Sequence, residues 1–142
     1  MQLGAKIAKQ LSPGDIVLLE GDLGAGKTTL ARAIIRALMA DPALEVPSPS
    51  FALVQPYENR NVHIIHADLY RLSHEAELNE LGLFDDEQAI ILIEWPQRGP
   101  NLHTRADLRV KLELTDQGAA RQASLSFPTG KSHLASKLLA EF

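Results

Sequence analysis

Gly21-Asp22-Leu23-Gly24-Ala25-Gly26-Lys27-Thr28 fits the pattern G-x-x-x-x-G-K-[ST] at every fixed position. Each residue type in it has a physical reason. Glycines let the backbone bend so that successive N–H groups point inward at phosphate oxygens. A helix starting at the end of the loop sets its N-terminus, worth about +0.5 charge, against the same anion. Lys27 reaches the β- and γ-phosphates as a mobile point charge, and the Thr28 hydroxyl suits Mg²⁺. Asp22, Leu23, Gly24, Ala25, Gly26, Lys27, Thr28 and Thr29 are therefore the expected nucleotide-binding residues. The plain alternative is an ordinary glycine-rich turn, and the flanking sequence decides against it.

Upstream, Ile16 to Leu19 is a continuous apolar run suited to a buried strand, preceded by Pro13-Gly14. Leu3, Ile7 and Leu11 before it share one helical face. Downstream, Leu30, Ala33, Ile34, Ala37 and Leu38 keep helical spacing until Asp41-Pro42. A second G-K-S, Gly130-Lys131-Ser132, has Leu125 where the first glycine belongs and reads as the N-cap of a last helix, about Ser132 to Glu141. Phe51 to Tyr57 and Val62 to Ile65 read as strands joined by a turn at Glu58 to Asn61. Ser73 is the expected cap of a helix from about His74 to Leu81, ended by Gly82. Ala89 to Ile93 is another buried strand. Leu108, Val110, Leu112 and Leu114 alternate with polar residues, and Asp116-Gln117-Gly118 turns the chain into a partner strand bearing Ala123, Leu125 and Phe127. The class is α/β: a three-layer P-loop NTPase fold with a mostly parallel central sheet and an antiparallel C-terminal strand pair.

The 142 residues suit one domain spanning 1–142, and the absence of cysteine excludes disulfides, Cys-zinc sites and thiol catalysis. No apolar run approaches the ~20 residues of a membrane span, and Lys6 and Lys9 interrupt any signal-like start. The expected location is cytoplasmic. A net charge of −4 disfavours unaided grip on nucleic acid, which needs a basic patch.

A phosphate loop also needs an acid at a neighbouring strand tip. Glu94 follows Ala89 to Ile93 and is the first candidate; it either reaches Mg²⁺ or orients a water, and its plain alternative is a partly exposed strand-end acid. Asp68 is the second. His66 and Asp68 share a face in extended chain, whereas His63 and His66 face oppositely, which weakens a two-histidine zinc reading. Arg71 either pairs with Asp68, touches a phosphate or is solvated. From Leu72 to Gln97 there are seven acids and no Lys or Arg, either a solvated face or a docking surface for a basic partner. No N-K-x-D element supports guanine, so ATP is expected.

Three readings stand on these residues alone: an Mg²⁺-dependent ATPase, a small-molecule kinase, and a nucleotide-gated binding module without turnover. The phosphate loop, Ser48-Pro49-Ser50-Phe51, His66-Ala67-Asp68-Leu69-Tyr70-Arg71, Glu80-Leu81-Gly82 and Ile93-Glu94-Trp95-Pro96, in that order, resemble the TsaE (YjeE) family. The resemblance runs from about Leu3 to Ser126, with Ser50 where the family commonly has Thr. It implies a cytoplasmic ATPase that works with the TsaB-TsaD complex, TsaD being the main contact. The product is threonylcarbamoyladenosine at position 37 of tRNAs reading codons that begin with A, with tRNA touched only indirectly. It further implies Lys27, Asp68 and Glu94 as catalytic residues and Thr28 with Glu94 as the Mg²⁺ pair. Trp95 and Arg121 would lie beside the nucleotide, although Trp95 reads equally as a core aromatic.

Overall fold

The computed structural model describes residues 2–99, 101–118, 120–129 and 132–140. Helix α1 (Gln2–Gln10) leads into strand β1 (Ile16–Glu20), and the glycine-rich loop joins β1 to helix α2 (Lys27–Met39). Then come β2 (Val54–Glu58), β3 (His63–Asp68), α3 (Glu75–Glu80), β4 (Ile90–Glu94), β5 (Leu108–Thr115), β6 (Ala120–Ser126) and α4 (Ser132–Leu139). The six strands lie in the order β2-β3-β4-β1-β5-β6. The central pairings β3–β4, β4–β1 and β1–β5 are parallel, and both outer pairings are antiparallel. The expected C-terminal hairpin is present, and β2–β3 forms a second one at the opposite edge.

Alternation along the strands fills two cores. Val17, Leu19, Ile90, Leu92 and Val110 face α1, α2 and α4, packing on Ile7, Leu30, Ile34 and Leu138. Leu18, Ala67, Ile91 and Ile93 point the other way, onto Leu69, Leu72, Leu78, Leu83 and Leu102. That second layer is thin: among the described residues, the six-residue α3 and short 3₁₀ turns cover it.

Several boundaries shift by a residue from the sequence expectation, and three differences have a visible cause. β2 begins at Val54, since Leu53 adopts φ 67° and its N–H bonds back to the Pro49 carbonyl at 2.7 Å. Phe51, expected in that strand, projects outward at 84% exposure. β3 continues through His66 to Asp68, because a fully buried polar side chain with a partner does not end a strand. α3 opens at His74 rather than Ser73: the Glu77 carboxylate accepts the N–H groups of both residues. Gly130 and Lys131, read as part of a cap, lie outside the described residues, as does Glu141.

Candidate nucleotide site

The parallel register puts Asp68 opposite Glu94, and Leu19 opposite Glu94, at the carboxyl ends of β3, β4 and β1. This is where open α/β sheets present ligand sites. Period-two alternation aims Asp68 and Glu94 toward the side on which α2 packs, so both meet the loop that precedes α2. The loop turns at Gly26, φ 103°, a left-handed conformation that costs glycine little. The N-cap of α2 is Gly26, which has no side chain to cap the helix, and the first turn, Lys27 to Thr29, lines the cleft.

Lys27 is 5% exposed and donates from Nζ to the carbonyls of Gly21 at 2.7 Å and Asp22 at 2.9 Å. Its ammonium also sits 4.1 Å from the centroid of the Trp95 ring. Burial pushes the Lys27 pKa below the ordinary lysine value, opposed by the charges of Glu94, Asp68 and Asp22. Thr28 Oγ1 donates to Glu94 Oε1 at 2.7 Å, and His66 Nε2 lies 2.6 Å from Glu94 Oε2. Asp68 Oδ2 accepts from the hydroxyls of Ser48, 3.2 Å, and Ser50, 3.3 Å, while Oδ1 accepts the Tyr70 N–H. Trp95 takes φ 56°, which turns its ring back over the cleft and against Tyr70, 4.9 Å between centroids.

A cleft of about 280 Å³ gathers most of the expected residues: Leu23, Gly24, Gly26, Lys27, Thr28, Thr29, Asp68, Glu94, Trp95 and Arg121. Arg121 arrives from β6, its Nη1 3.1 Å from where a Cβ on Gly26 would stand. Asp22 and Ala25 do not line this cleft. They face a separate crevice beside Lys111 and Leu112, so Asp22 reaches the site through its carbonyl. Glu94 is 1% exposed rather than a partly exposed strand-end acid, and Arg71 stacks on Phe51 at 4.4 Å instead of pairing with Asp68. Ser48 and Tyr70 line the cleft as well, and His66 stands behind Glu94. Period two from Asp68 was the signal for His66; its partner, 28 residues on, was not readable.

The oxygen donors at the cleft are the Glu94 and Asp68 carboxylates and the Thr28, Ser48 and Ser50 hydroxyls, while the Lys27 ammonium can only donate hydrogen bonds to an anion. Hard oxygen ligands few in number suit Mg²⁺, which keeps several waters and binds through one or two protein groups plus phosphate. The residues fit that ion.

The family description "Threonylcarbamoyl adenosine biosynthesis protein TsaE" matches residues 1–123. The chain belongs to the TsaE family. Among curated TsaE relatives, each called tRNA threonylcarbamoyladenosine biosynthesis protein TsaE, that of Rickettsia felis is 42% identical over 120 residues, covering 82% of this chain and 68% of its own. The Haemophilus influenzae protein is 39% identical, over 71% of this chain and 64% of its own. The Mycobacterium tuberculosis protein is 34% identical, over 89% and 80%. The crystal structure of Bacillus subtilis YdiB shares the fold, with a TM-score of 0.74 at 22% identity, covering 98% of this chain and 86% of that one. Its likeness bears on the P-loop architecture alone. Membership of TsaE places the chain in threonylcarbamoyladenosine biosynthesis.

Proposed function

We propose that this TsaE protein binds ATP with Mg²⁺ and hydrolyses it in the cytoplasm. Its turnover then supports threonylcarbamoyladenosine formation at position 37 of tRNAs reading codons that begin with A, through the TsaB-TsaD complex. TsaD is the main contact and tRNA is touched only indirectly. The observation that carries this reading is the Thr28 hydroxyl bonded to Glu94 beside the sequestered Lys27 ammonium, at the mouth of an uncapped helix.

In the chemistry we assign, Lys27 exchanges the Gly21 and Asp22 carbonyls for phosphate oxygens. The loop N–H groups and the α2 terminus hold the same anion. Thr28, with its O–H on Glu94, would hold the metal through its hydroxyl oxygen. Bound Mg²⁺ would supply charge neutralisation at the phosphates. Asp68, whose bonds from Ser48 and Ser50 are 3.2 and 3.3 Å, exchanges one hydroxyl for a water and orients it. Trp95 and Arg121 border the nucleotide from either side.

An arginine supplied in trans is worth about 10³–10⁵ in rate to such sites, so slow hydrolysis by the isolated chain is expected. ATPase assays with and without TsaB and TsaD test this: the complex should raise the rate at least about tenfold. An isolated rate that the partners leave unchanged contradicts the dependence. Absence of hydrolysis under both conditions contradicts the ATPase reading.

A further inference from the structure

His66 is the most deeply buried polar residue behind the cleft, with no exposed surface, in the middle of the parallel pairing of β3 with β4. It lies opposite Leu92, two residues before the Asp68–Glu94 pair, so its ring reaches diagonally along the same face to Glu94. Nε2 stands 2.6 Å from Oε2, a charge-assisted distance. Nδ1 is buried and has no hydrogen-bond partner among the described residues. These two facts assign the tautomer. A lone pair on Nε2 would face a carboxylate oxygen, and a proton on Nδ1 would be stranded, so the proton sits on Nε2. Leaving Nδ1 unsatisfied inside a protein is costly, and an aliphatic side chain at this position would avoid that cost.

The carboxylate it holds is divided between two donors. Oε2 is tied to His66 on the interior side, and Oε1 accepts the Thr28 hydroxyl on the cleft side. A glutamate has one more rotatable bond than an aspartate at the same strand end. Without a rear anchor, its carboxylate has no fixed orientation toward Thr28. Outer partners that orient a metal-site carboxylate act in this way.

We infer that His66 is a positioning residue that locks Glu94, presenting Oε1 to Thr28 and to the divalent cation of the nucleotide complex. The inference rests on the Mg²⁺-ATP reading of the cleft.

The test uses Mn²⁺ as probe, its binding to the full chain saturated with ADP followed by electron paramagnetic resonance, alongside ADP affinity in chelator. His66→Leu fills the volume without a donor and should weaken Mn²⁺ retention about 10–100-fold. ADP affinity without metal, which depends on the phosphate loop, should stay near that of the parent. His66→Gln, which restores an N–H donor, should recover most of the Mn²⁺ affinity. A folded His66→Leu protein with parental Mn²⁺ affinity overturns the inference, as does a folded His66→Gln protein impaired as severely as His66→Leu. Nitrogen-15 imidazole spectra of the parent need no variant. They should show Nε2 protonated and Nδ1 bare with and without Mg²⁺-ADP, and a bare Nε2 overturns the inference. If the parent itself retains no Mn²⁺ with ADP, the site reading fails first and the inference falls with it.

Discussion

Lys27 and Glu94 carry opposite charges into nearly closed surroundings, and each is held by named partners. The Lys27 ammonium is held by carbonyls, which a phosphate can displace. Lys27→Ala should therefore abolish detectable ATP binding, measured by calorimetry. Glu94→Gln keeps the shape but removes the charge that would face the cation, and should cut hydrolysis about 10–100-fold while nucleotide still binds. Thr28→Ala should erase the gain in ATP affinity that Mg²⁺ gives the parent; equal parental affinity with and without Mg²⁺ contradicts that role. Trp95, the one tryptophan of the sequence, offers an optical check, since the ammonium lies 4.1 Å from its ring. Its emission should change when ADP draws Lys27 away, and should not change in Lys27→Ala. At this scale the loop residues were legible because their spacing encodes one backbone shape. His66 was half legible: period two put it on the face of Asp68, but a buried histidine and a surface one look alike until a partner from another strand is placed beside them.

At the scale of elements, α1 and α2 cross where Gly4 meets Ala33. A Cβ built on Gly4 would stand 2.5 Å from the Ala33 Cβ. Gly4→Val should push the helices apart and cost roughly 1–3 kcal/mol, lowering the melting temperature by about 4 °C or more. A melting curve that coincides with the parent's would show that the crossing relaxes freely. Helices α1 and α2 and strands β1 and β4 were legible because their apolar patterns are unambiguous. The start of β2 was not: Phe51 and Leu53 look strand-like, yet one is turned out to solvent and the other takes a left-handed φ. Apolar identity alone does not distinguish a strand from a loop that lines a cleft.

Over the whole molecule, the acids described between Leu72 and Gln97 differ in setting, and Glu77 is half-buried as the cap of α3. Glu94 is interior, whereas Glu80, Asp85, Asp86 and Glu87 are exposed around α3 and the turn after it. Asp86 is held below the usual carboxylate pKa by the Gln88 N–H and by His63. If this field steers a basic partner, Asp85→Lys with Glu87→Lys should slow association with TsaB-TsaD about tenfold at low salt and flatten its salt dependence. An unchanged association rate would assign those acids to solvation. Sequence order gave the hairpin at the C-terminal edge, but the placement of β1 between β4 and β5 follows from packing both cores at once. That placement brings the loop of β1 against the acid of β4.

The central claim is that nucleotide turnover in this cleft sustains tRNA modification. Reconstituted threonylcarbamoyladenosine formation with TsaB and TsaD, at tRNA in large excess over the complex, tests it most directly. The parent should give many modified tRNAs per complex, and Lys27→Ala should stop after about one. A Lys27→Ala protein that sustains the parental rate would contradict the account.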